Sequence, residues 1–87
     1  MEIVTQQIVV KGILKEKGYR FFFFSREETR MHVHISSQDG EAKHWLEPQI
    51  ELAKNIKLSR QNLKQIETLI EEHYDELISA WHEHFGS

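Results

Sequence analysis

The chain has 87 residues, with 14 Asp and Glu against 11 Lys and Arg, six histidines, no cysteine and a formal net charge of −3. That length makes one domain over residues 1–87 with a single modest core, burying roughly 60–65% of the unfolded surface. The missing cysteines exclude a disulfide framework and a thiolate metal site, and no apolar run nears the ~20 residues that span a bilayer, so a cytoplasmic protein without membrane contact is expected.

Residues 3–14 mix Ile3, Val4, Ile8, Val9, Val10, Ile13 and Leu14 with one breaker, Gly12, which predicts a strand bulged at the glycine. Lys17-Gly18 supplies a tight turn into a second strand over residues 19–25. Its four consecutive phenylalanines put Phe21 and Phe23 on one face and Phe22 and Phe24 on the other, so both faces need cover. A helix can cover one. The N-terminal strand, a second copy or a different protein would cover the other, because large exposed apolar patches are uncommon on monomers.

Polar residues 26–31 lead to a third strand over 32–37, Asp39-Gly40 reads as the hairpin turn, and the fourth strand runs over 41–47 until Pro48 ends pairing. With that turn, Gln38 opposes Glu41, Ser36 opposes Lys43, His34 opposes Trp45 and His32 opposes Glu47, while Ile35 opposes His44 and Val33 opposes Leu46. One face then carries His32, His34, Ser36, Glu41, Lys43, Trp45 and Glu47, and the other carries Val33, Ile35, Ala42, His44 and Leu46.

Residues 49–58 read as a short ordered segment, Ile50-Glu-Leu-Ala, and a loop. From Ser59 the period changes to that of a helix: Leu63, Ile66, Ile70, Tyr74, Leu77, Trp81 and Phe85 recur at intervals of three and four. Ser59 is a suitable N-cap and Gly86 a suitable stop, so one helix of ~40 Å is expected over about 59–85. The stripe tolerates a kink near His73, although no Pro or Gly demands one. The fold class is therefore α+β, an antiparallel sheet of three to four strands packed against a long C-terminal amphipathic helix.

Charge is uneven along the chain. Lys11, Lys15, Lys17, Arg20, Arg26 and Arg30 cluster around one hairpin, whereas residues 59–87 carry two basic side chains against six acidic ones. The polar row of the sheet admits three uses. Two same-face histidines with Glu41 or Glu47 suit a divalent metal. One histidine as base and the other as acid, with Lys43 or Arg20 stabilising a phosphorane-like charge, suits metal-free chemistry. The same residues also suit a plain binding face.

The candidate catalytic set is Arg20, His32, His34, Glu41 and Lys43, and the candidate partner-binding set is Phe22, Phe24 and Trp45, whose indole could stack on a base or pack over His34. No cofactor is expected and no metal is assigned. His44, on the aliphatic face, reads as a satisfied core or rim histidine. His82 and His84 do not share a helical face, which argues against a helical metal pair, and Trp81 and Phe85 read as core. No nucleophile elbow, phosphate loop, zinc signature or dinucleotide fingerprint is present.

The blocks Gly18-Tyr-Arg-Phe-Phe-Phe-Phe-Ser25, His32-Val-His-Ile35, Gly40-Glu-Ala-Lys-His-Trp-Leu-Glu-Pro48, Glu51-Leu-Ala53 and Ala80-Trp-His-Glu-His-Phe-Gly86 resemble the small bacterial domain-of-unknown-function family numbered 4160. The resemblance covers roughly residues 13–86. Two departures stand out: Arg30-Met31 replaces the usual Pro-Pro before the His-x-His pair, and His44 replaces a common aromatic. The resemblance implies a toxin–antitoxin-like genomic setting and no established activity. The expectation is a component of such a module, acting through a protein partner or a second copy and through RNA. It is either a ribonuclease-like toxin or a non-enzymatic antitoxin or regulator, with a metal-binding accessory domain as the third reading.

Overall fold

The computed structural model describes residues 10–24 and 30–86. Five strands form one antiparallel meander: β1 (Val10–Glu16), β2 (Tyr19–Phe24), β3 (His32–Ser37), β4 (Gly40–Trp45) and β5 (Glu51–Ile56). Two helices follow, α1 (Arg60–Glu72) and α2 (Tyr74–Phe85). The α+β class is as expected, but the strands number five and the helix is divided. The part of the expected first strand before Val10, together with Ser25 and the polar connection over 26–29, lies outside the described residues.

The register of β1 on β2 slips between Gly12 and Leu14, leaving Ile13 as the extra residue of the anticipated bulge. Lys17 and Gly18 take φ of 54° and 84°, the left-handed pair that a two-residue hairpin turn requires. The second hairpin corrects the expected register. Ser37 pairs with Gly40, Ser36 with Glu41, His34 with Lys43 and His32 with Trp45, so the turn is at residues 38–39.

Two local facts account for this. The Asp39 amide donates to Ser37 Oγ, closing the turn one residue early. Gly40 enters β4 at a place where a Cβ would collide with the Ile56 carbonyl oxygen. Because the slip is an even number of residues, every side chain keeps its expected face. Gly40→Ala is accordingly expected to destabilise by about 1–3 kcal/mol and to strip amide-exchange protection from β5 first. Unchanged melting with β5 still protected would refute the close approach.

β5 was expected as a loop beyond its first residues. All six of its side chains are exposed, so its sequence has no buried row to betray it. Its pairing with β4 carries a second bulge, between Lys43/Lys54 and His44/Leu52, with Ala53 as the extra residue.

α1 begins with reciprocal capping: Ser59 Oγ accepts from the Asn62 amide and Asn62 Oδ1 accepts from the Ser59 amide. The expected single helix breaks at His73, where φ is −110° and ψ is 20°. Only that residue departs, since its amide still reaches Leu69 O and its carbonyl accepts from the Leu77 amide. Tertiary and local contacts converge there. The His73 ring lies 2.8 Å from Glu16 Oε1 on β1 and 3.0 Å from Glu76 Oε1, and the Tyr74 hydroxyl donates to Leu46 O at 2.6 Å.

Both helices pack on one face of the sheet. There Tyr19, Phe21, Phe23, Val33, Ile35, Ala42 and Leu46 meet Ile66, Leu69, Ile70, Leu77 and Trp81. The opposite face carries the alternate residues of each strand, among them Phe22, Phe24, His34, Lys43 and Trp45, all half-buried.

Candidate functional site

The open face takes its character from alternation. Phe22 and Phe24 on β2, His34 on β3 and Trp45 on β4 are forced onto it by the same pleat that sends Phe21, Phe23, Val33 and His44 inward. The rings interlock: Phe22 stacks on His34 at 5.6 Å between centroids, and Phe24 meets His34 edge-on at 4.6 Å. His32 links His34 (5.1 Å) to Trp45 (5.8 Å). The Arg30 guanidinium and the Lys43 ammonium sit over the indole of Trp45, 4.1 and 4.6 Å from its centroid.

Of the anticipated site residues, Phe24, His34, Glu41 and Lys43 line one cleft of about 290 Å³, joined by Lys54 and Ile56 of β5. Arg20 is exposed on the same sheet face but lines a separate depression with Gly12, Ile13, Leu14 and Lys15. Trp45 lies beside the cleft under its two cations. His32 departs from expectation: it is fully buried, with Nδ1 2.6 Å from Arg30 O and its ring 5.1 Å from that of Trp81 on α2. The two histidines of the His-x-His pair therefore differ in access. His34 opens to solvent in part, whereas His32 is fully buried, with Trp81 of α2 among the rings against it.

Lys54 and Ile56 are cleft residues that sequence reasoning missed, because the ordered segment was expected to end at Ala53 and give way to a loop. The one available signal was that Glu51-Leu-Ala-Lys-Asn-Ile56 lacks a helix breaker and can extend a hairpin.

His44 is core-facing as expected, but it is neither satisfied nor at the rim. It is fully buried, both ring nitrogens lack a hydrogen-bond partner among the described residues, and a carboxylate oxygen of Glu67 stands 3.7 Å from Nε2. Desolvation pushes its pKa down to about 4, so the ring is neutral at pH 7. His73 is the opposite case, its pKa raised by the hydrogen bonds its ring donates to Glu76 and Glu16. Among the described residues, Glu16, Glu72 and His73 bring ligand-type atoms within 4.8 Å of one another, on the helix side of the molecule and away from the His-x-His face.

The model of a family described as a domain of unknown function, DUF4160, matches residues 18–82. The chain belongs to that family. Neither the curated proteins nor the solved structures contain a match. The DUF4160 region runs from the turn that opens β2 through the Trp81 and His82 positions of α2, so it spans the interlocked rings, the cleft and the buried histidines. No helix among the described residues is long and apolar enough to cross a membrane.

Proposed function

We propose that this DUF4160 chain is a component of a toxin–antitoxin-type module, acting in the cytoplasm by contact through the open face of its sheet. The observation that carries the reading is the two-sided design of β2. Phe21 and Phe23 are buried under the helices, while Phe22 and Phe24 remain half-buried among His34, Trp45 and cationic heads. A surface of half-exposed rings framed by charge suits recognition.

Convergence of His34, Lys43 and Glu41 on one cleft favours a second reading, a metal-independent ribonuclease-like toxin in which His34 moves the proton and Lys43 stabilises the developing charge. Burial of His32 leaves that scheme without its second accessible histidine, and the contact reading is therefore the leading one.

Expression in a bacterial host, with and without the adjacent gene, tests both. Under the contact reading, Phe24→Ala and Trp45→Ala abolish the growth effect or the capture of the neighbouring gene's product, while His34→Ala leaves RNA turnover absent as before. Under the ribonuclease reading, His34→Ala alone ends RNA cleavage. A wild-type chain with no growth effect, and with no binding to its neighbour's product, would overturn the module assignment.

A further inference from the structure

We propose that the open face binds single-stranded RNA. The inference rests on the reading that this face is the working surface, and it assigns the ligand. Its central observation is a pair of like-charge cross-strand neighbours. Lys15 lies directly opposite Arg20 across β1 and β2, and Lys43 lies directly opposite Lys54 across β4 and β5. Directly opposed like charges destabilise a sheet. These two pairs stand on the same face, on either side of the Phe22, Phe24 and His34 rings. An anionic ligand laid across the face would meet both pairs.

Among the described residues, the distribution of charge points the same way. Lys15, Arg20, Arg30, Lys43 and Lys54 mark the open face, against Glu41 and Glu51. The helices on the other side carry Arg60 and Lys64 against Glu67, Glu71, Glu72, Asp75, Glu76 and Glu83. A polyanion is thus drawn to one side of the molecule and repelled from the other.

Three features narrow the polyanion. Rings interleaved with cations match the alternation of bases and phosphates in a single strand, whose unpaired bases offer π-faces to aromatic side chains. A protein partner fits less well, because the buried centre of a protein interface is depleted in lysine, and here Lys43 lines the central cleft. Glu41 shares that cleft with His34 and Lys54. A carboxylate there repels phosphate but accepts a hydrogen bond from a ribose 2′-hydroxyl, the group that distinguishes RNA from DNA.

The test is fluorescence anisotropy of a short labelled oligouridylate, with the matching oligodeoxyuridylate, an RNA duplex and an acidic peptide as parallel probes. The single-stranded RNA is expected to bind tightest, with affinity falling steeply as salt rises. Lys54→Ala and Arg20→Ala should each weaken binding and lower the salt slope by about 0.7. The same substitutions should raise the melting temperature, because each removes one member of a like-charge pair, so a loss of binding through misfolding is recognised at once.

Absent RNA binding at low salt overturns the inference, as do unchanged affinity in both variants, equal affinity for DNA, or preference for the duplex or the peptide. If RNA is ignored while Phe24→Ala and Trp45→Ala still end the growth effect, the RNA assignment falls and the open face survives as the working surface.

Discussion

Trp81→Ala is expected to destabilise the protein by about 3–5 kcal/mol in denaturant unfolding, the usual range for deleting a buried large aromatic. Trp81 is 4% exposed and packs edge-on against Phe23 at 5.3 Å, beside Phe85 at 4.1 Å and against His32 at 5.1 Å. It joins α2 to two strands at once, so the cavity left by truncation borders three elements and cannot collapse onto any single one. A second readout follows from the same contacts. With the indole gone His32 gains solvent, so its ring should become reactive to diethyl pyrocarbonate in the variant and protected in the wild type. A loss below ~1 kcal/mol with His32 still protected would show that α2 is held by other contacts.

His44 should make the protein acid-sensitive in a defined window. Above pH 6.5 the ring is neutral in both the folded and the unfolded chain. As pH falls below 6.5 the unfolded ring takes a proton that the folded ring refuses until about pH 4. Stability is therefore complete above the upper value, declines between the two and levels off below the lower, for a total of about 3 kcal/mol at ~1.4 kcal/mol per pH unit. His73 acts with the opposite sign. Its raised pKa contributes stability that is complete below 6.5 and lost as pH rises through the folded value.

His44→Phe should then raise stability at neutral pH by about 1–3 kcal/mol, since two buried unpartnered nitrogens disappear, and should remove the acid-side decline while sparing the alkaline one. Urea midpoints measured from pH 4 to pH 9 decide it. An acid decline that persists in His44→Phe would place its origin in another group.

What the sequence made legible is what local chemistry dictates. The strands β3 and β4 follow from period-two alternation, β2 from its aromatic run after the Lys17-Gly18 turn, and the face assignments survived even a wrong turn because the register error was even. Three features escaped because their causes are distant in the chain. β5 is an exposed edge strand with no buried row. The helix break at His73, which the stripe tolerates but no Pro or Gly demands, coincides with a contact to Glu16, 57 residues away. The burial of His32 involves Trp81, far along the chain on the last helix. As to the candidate site, the open face and its rings were readable from alternation, whereas the cleft's far wall on β5 and the unequal access of the two histidines were not.

The two bulges bear on how the molecule behaves at high concentration. β1 and β5 are the outermost strands of the described sheet, and each is interrupted by an extra residue, Ile13 on one and Ala53 on the other. β5 also places Lys54 between Leu52 and Ile56, its two large apolar side chains, both exposed. A straight edge with unpaired amides is a template for amyloid-like growth, and a bulge or a lysine spoils the template. The described sheet is thereby guarded at both margins against stacking end on end into fibrils, so it can keep half-buried aromatic side chains on its open face without an aggregation-prone edge beside them.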